Sequence, residues 1–164
     1  MCVGFVVAGS VNIGLAAEGV NYSGKYLAQE KKTAPGGKID PTLGVVQTED
    51  SIEITRMEYG SKTTNKCPLN GSDGDYRSPS GVPGKCKAKL KDKYLMLEFV
   101  VTTRPQPNGP PVRIRTKERW QLSSDSKTLT IKSDVDFPDA ARDVSSIVGE
   151  SASGTQKYTR AENP

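Results

Sequence analysis

The chain predicts an all-β protein, an antiparallel up-and-down β-barrel of eight or nine strands, with a short helix before the last strand. Three observations carry this. Two long alternating arms between Val112 and Phe137 meet at a polar turn, the other candidate strands follow one another as hairpins, and no ten-residue amphipathic helix separates them. In the first arm Val112, Ile114, Thr116, Glu118, Trp120 and Leu122 share a face, opposite Arg113, Arg115, Lys117, Arg119 and Gln121. In the second, Leu129, Ile131, Val135 and Phe137 oppose Thr128, Thr130, Lys132, Asp134 and Asp136. Only a strand alternates its side chains residue by residue. A meandering sheet must hide its edges; barrel closure does so completely, a sandwich only in part.

In chain order, Tyr22 to Ala28 reads as a first strand, and Lys31 to Pro41, with Pro35-Gly36-Gly37, as a loop. Leu43 to Thr48 and Ser51 to Tyr59 form a hairpin across Glu49-Asp50. Ile52 and Ile54 face alike while Met57 and Tyr59 have the opposite parity, so either a bulge near Thr55 resets the pattern or both faces are covered. Lys62 to Cys67 is a weaker strand, and Pro68 to Pro83 an irregular stretch of turn-forming residues. Alternation resumes from Gly84 to Lys91, with Cys86, Ala88 and Leu90 inward, and turns back at Asp92-Lys93. Tyr94 to Arg104 is the most apolar strand, with Leu95, Leu97, Phe99 and Val101 on one face. Prolines cannot supply ladder donors, so Pro105 to Pro111 is a loop before the long hairpin. Pro138 suits the start of a short helix around Asp139 to Val144, and Thr155 to Arg160 closes the series.

Composition narrows the chemistry. The charge of +4, from 23 basic and 19 acidic residues, is too small and dispersed to make nucleic acid the partner. The chain has no histidine, which removes the usual neutral-pH general base and the commonest metal ligand. No phosphate loop or nucleophile elbow occurs, and alternation puts Glu98 outward and Glu118 inward, so they form no convergent acid-base pair. Asn70, Asp73 and Asp75 lack the later bidentate glutamate of a calcium loop. The expectation is a monomer without catalysis, metal or cofactor.

Residues 1 to 17 carry no charge, and polarity rises abruptly at Glu18. They read as a secretory signal without its basic start, cut after Ala16 or Ala17, ahead of one domain over 18 to 164; the alternative is an apolar first strand. The expected destination is periplasmic or extracellular. Cleavage removes Cys2 and leaves Cys67 and Cys86, an even number in an oxidising compartment, so a disulfide between them is expected; the alternative is two independent buried thiols.

Asn21-Tyr22-Ser23-Gly24-Lys25-Tyr26 resembles the first-strand signature of lipocalins, a glycine two residues before a large aromatic, with Tyr26 where that family usually has tryptophan. Arg119-Trp120-Gln121-Leu122-Ser123, continuing through Asp125, Lys127, Thr128, Leu129 and Thr130, is similar to the late hairpin of the lipocalin-like domains of small exported bacterial proteins. The family's arginine near the last strand matches Arg160 loosely, and its Thr-Asp-aromatic motif is absent. The resemblance spans about residues 21 to 160 and implies a cup that accepts a small apolar molecule.

The expected lining is Tyr26, Leu95, Leu97, Phe99, Ile114, Glu118, Trp120, Leu129 and Ile131. A filled barrel would present the same apolar positions. Thr116 and Glu118 favour a cavity, since a carboxylate in a dry core needs a partner. Outward, Lys85, Lys87, Lys89 and Lys91 on one strand and Arg113, Arg115, Lys117 and Arg119 on another flank the strand from Tyr94. This face suits an anionic envelope component; the alternative is a solvated face whose lysines block edge aggregation.

Overall fold

The computed structural model describes residues 19–29, 33–34, 37–58, 61–104, 108–138 and 153–161. Its strands are β1 (Gly24–Ala28), β2 (Thr33–Ala34), β3 (Gly37–Gln47), β4 (Ser51–Glu58), β5 (Ser61–Pro68), β6 (Gly74–Arg77), β7 (Pro83–Lys91), β8 (Tyr94–Thr103), β9 (Val112–Leu122), β10 (Thr128–Asp136) and β11 (Ser153–Arg160). They pair antiparallel in the order β5-β4-β3-β1-β11-β10-β9-β8-β7-β6, with the two-residue β2 beside β3. Pairing of β1 with β11, Tyr26 opposite Arg160, joins the two ends of the chain and curls the sheet into a nearly closed up-and-down barrel.

The principal path holds ten strands where eight or nine were expected. One addition is β6, inside the stretch read as irregular from Pro68 to Pro83; its four residues are too few and too polar to show a period. Another difference is that β3 begins at Gly37, within the stretch read as a loop. Its register against β4 shifts between Ile39 and Leu43, where Pro41 cannot donate to the ladder. β4 itself pairs without a shift from Leu43–Arg56 to Gln47–Ile52, so of the two alternatives there a bulge near Thr55 is absent. Alternation there continues through Ile52, Ile54 and Arg56 to an exposed Met57. The leader and the short helix around Asp139 to Val144 lie outside the described residues; among the described residues there is no helix.

The free edges β5 and β6 meet at a seam that side chains close. The Asn65 amide substitutes for a ladder rung: its Nδ2 donates to the Arg77 carbonyl at 3.1 Å, and the Arg77 amide donates to its Oδ1 at 2.8 Å. Inside the seam Cys67 of β5 is bonded to Cys86 of β7, both buried, with Cα atoms 5.6 Å apart. Gly74 makes this approach feasible, since a Cβ there would lie 2.5 Å from Pro68 Cδ and 3.0 Å from the Lys66 carbonyl.

The base is plugged by the segment before β1. Tyr22 and Trp120 meet edge to face, with centroids 6.4 Å apart, among the fully buried Leu43, Ile52, Leu95 and Leu129. The Tyr22 hydroxyl lies 2.9 Å from the Lys93 carbonyl and 3.1 Å from that of Trp120, and the Tyr26 hydroxyl donates to the Tyr22 carbonyl at 2.8 Å. Arg160 spreads over the Tyr26 ring at 5.3 Å and donates through Nη2 to the Ser23 carbonyl and the Tyr26 hydroxyl. Gly24 is required by this arrangement: its φ is +153°, and a Cβ would sit 3.0 Å from Arg160 Nε. The glycine, the aromatic and the last-strand arginine thus form one cluster.

Burial pushes the Tyr22 phenol up to about 12 and raises Tyr26 as well, although the Arg160 hydrogen bond opposes the rise at Tyr26. A phenol whose pKa is higher folded than unfolded stabilises the fold fully below the unfolded value of 10.0, and that contribution is lost as pH climbs toward 12. Chemical denaturation across the alkaline range is expected to show stability falling by about 2 kcal/mol over this window through Tyr22. Tyr22→Phe is expected to be less stable at neutral pH and to show a shallower alkaline fall; an equally steep fall would sink the assignment.

Candidate ligand cavity

Along β8, β9 and β10 the inward side chains shrink away from the base. Leu95, Leu97, Trp120, Leu129 and Ile131 are buried and fill the barrel; Val101, Thr103, Ile114, Thr116 and Val135 farther along are only half-buried. The shorter side chains no longer meet across the barrel. A cavity of about 690 Å³ results, lined by Arg56, Tyr76, Ser78, Pro79, Ser80, Val82, Phe99, Val101, Thr103, Ile114, Thr116, Glu118 and Val135. Residues 78–82 form one wall as the turn between β6 and β7, held by the Ser78 hydroxyl accepting from the Val82 amide at 3.0 Å.

Between the packed half and the cavity lies an ion pair. Arg56 donates through Nη1 to Glu118 Oε1 at 2.9 Å and through Nη2 to Oε2 at 2.6 Å, while Trp120 Nε1 donates to Oε2 at 2.8 Å. Glu118 is almost wholly buried at 5% side-chain exposure; Arg56 keeps 26% and lies within 6 Å of both the Phe99 and Trp120 rings. This partner is what the inward carboxylate demanded: bidentate geometry and a third donor offset the desolvation of Glu118.

Of the expected lining residues, Phe99, Ile114 and Glu118 line the cavity. Leu95, Leu97, Trp120, Leu129 and Ile131 belong to the packed half, and Tyr26 to the base plug, because the barrel is filled below the ion pair. Arg56 was missed. The opposite parity of Met57 and Tyr59 in the sequence left the strand's facing open, although Ile52-x-Ile54-x-Arg56 already placed an arginine inward.

The eight outward cations do flank β8, as β7 and β9 pair with it on either side. Acids are interleaved among them. Lys85 meets Asp75 at 2.8 Å, Lys87 meets Asp73 at 3.5 Å, and Arg115 grips Asp136 through Nε and Nη2. Those contacts hold the Asp75 and Asp136 carboxyls below their usual range. Glu98 stands in register between Lys87 and Lys117, Asp134 stands opposite Lys117, and Arg119 stacks over Tyr94 at 5.2 Å. Asp73 and Asp75 thus serve as counterions, and among the described residues no cluster of three metal-ligating side chains occurs. An outer recess of about 290 Å³ has Asp73 and Glu98 in its wall beside Lys85, Lys87, Arg113 and Arg115. A larger one of about 960 Å³ runs outside the seam past Glu49, Asp50, Lys66, Asn70 and Lys89. Both have several acids and bases in their walls, whereas the charges lining the interior cavity, among the described residues, are Arg56 and Glu118.

No family model matches the chain, and no curated protein matches it in sequence. Solved structures share its fold. A structure titled REP1-NXSQ fatty acid transporter superposes with a TM-score of 0.55 at 10% identity, covering 87% of this chain and 97% of that one. Fatty-acid-binding protein 1 of Echinococcus granulosus gives 0.54 at 9% identity, covering 86% and 98%. Zebrafish ileal bile-acid-binding protein in complex with cholic acid gives 0.53 at 12% identity, covering 85% and 98%. The up-and-down barrel implied by the lipocalin resemblance is therefore present, with neighbours that are named for binding or transport rather than catalysis.

Breaking a buried ion pair from one side strands the other charge. Arg56→Met is expected to cost about 3 kcal/mol in urea unfolding, and Arg56→Met with Glu118→Gln distinctly less than the sum of the single changes. Strict additivity would show that the pair is not coupled.

Proposed function

We propose that this protein is a non-catalytic carrier that holds a small apolar molecule inside its barrel. The observation that carries the reading is the cavity of about 690 Å³, walled by Phe99, Val101, Ile114, Val135, Val82 and Tyr76 and floored by a polar group that is already satisfied. Such a space, apolar with a few placed polar atoms, is what small-ligand sites share. The similar structures named for fatty acids and a bile acid support the reading through their fold. Nothing in the cavity suggests turnover: Glu118, its one carboxylate among the described residues, is occupied by Arg56 and Trp120.

The carrier is further proposed to be monomeric and exported to the periplasm or the extracellular space, a reading that the disulfide supports, since such bonds persist in oxidising compartments. A filled barrel acting on an anionic partner through its basic face is the weaker reading, because the interior keeps a cavity and acids are interleaved among the outer cations. Fluorescence titration with the neutral dye Nile red tests the carrier. Wild type is expected to bind it in a saturable manner, and Val135→Trp, which fills the cavity, to weaken binding about tenfold or more. Met96→Ala on the outer face is expected to change nothing. Equal binding by Val135→Trp would remove the cavity as the site. Intact mass of protein recovered from its host checks export: cleavage after Ala16 or Ala17 is expected, and an uncut chain with free thiols overturns it.

A further inference from the structure

A carrier of this shape can hold either an ionised or a neutral amphiphile, and the cavity floor distinguishes them. Among the described residues that line the cavity, Arg56 is the one cation and Glu118 the one anion. They are joined end-on, with both terminal nitrogens of Arg56 directed at Glu118 at 2.9 and 2.6 Å. Trp120 Nε1 fixes the same carboxylate from beneath at 2.8 Å, so Glu118 cannot swing aside without leaving a buried indole N–H unpaired. Among the described residues the floor is therefore polar with its two charges balanced.

A fatty-acid carboxylate entering this cavity would have to share Arg56 with Glu118. Two carboxylates on one guanidinium repel each other, and the low-dielectric walls of Phe99, Val101 and Ile114 strengthen that repulsion. A hydroxyl or ester carbonyl meets no such cost, because it brings no charge to desolvate. The Thr103 and Thr116 hydroxyls on the same walls can each donate and accept. We propose that the cavity selects an uncharged amphiphile, of the long-chain alcohol or ester class, over a fatty-acid anion. This rests on the carrier reading above and departs from the ligands named for two of the similar structures.

The test is displacement of Nile red at neutral pH by dodecanol and by dodecanoate, a pair matched in chain length. On the unaltered protein dodecanol is expected to displace the dye at a concentration at least about tenfold lower than dodecanoate. Glu118→Gln keeps an acceptor for Trp120 Nε1 and removes the carboxylate charge that repels a second carboxylate. In that variant dodecanoate is expected to gain about tenfold while dodecanol changes little. Should the variant not fold, the comparison on the unaltered protein still decides. Dodecanoate equal to or better than dodecanol on the unaltered protein overturns the selectivity and leaves the carrier standing. An unchanged ratio in folded Glu118→Gln, or dye that neither compound displaces, also overturns it. Absence of Nile red binding would remove the carrier reading and this proposal together.

Discussion

An antiparallel sheet of ten strands ends in two edges, each presenting amides and carbonyls that need partners. Between β5 and β6 the ladder gives out, and three devices hold the edges together. The Asn65 amide supplies one mimicked rung, the absence of a Cβ at Gly74 permits close approach, and the Cys67–Cys86 bond crosses from β5 to β7. A crosslink over a separation of 19 residues is worth about 3 kcal/mol, mainly by restricting the unfolded chain. It sits inside the barrel, so closing the wall and fixing part of the core are one event.

Closure divides the interior. Toward the base, large side chains from β3, β4, β8, β9 and β10 converge on Trp120, and the plug of Tyr22, Tyr26 and Arg160 seals them from below. Toward the other end valines and threonines replace leucines, and space remains. The Arg56–Glu118 pair lies at this boundary, packed against Trp120 on one side and facing the cavity on the other. A floor made of an internally hydrogen-bonded ion pair gives the cavity polarity with opposite charges balanced, a different condition from a lone buried cation awaiting an anionic ligand.

The exterior follows the same rule of local compensation. Each of Lys85, Lys87 and Arg115 has a carboxylate within ion-pair distance, and the acids come from β10, from β6 and from the residue just before β6. Such exposed pairs add little stability. Their effect is on the field: cations that look like a continuous stripe along β7 and β9 are broken up once β6 and β10 stand beside them.

What the linear chain determined by itself is whatever depends on neighbours along a strand. Alternation placed Leu95, Leu97, Phe99, Trp120, Leu129 and Ile131 inward and Lys85, Lys87, Lys89 and Lys91 outward, since side chains alternate faces by backbone geometry alone. The cysteine count anticipated the disulfide, and Gly24 with Tyr26 pointed to a barrel, although Tyr26 was expected in the ligand lining and stands in the base plug. Tertiary structure decided what depends on residues far apart in sequence. It brought Arg56 to Glu118 across 62 positions, divided the apolar positions between packed base and cavity wall, and set acids among the outer cations. None of these can be read from periodicity, because a period states which face a residue occupies and not what stands across the barrel from it.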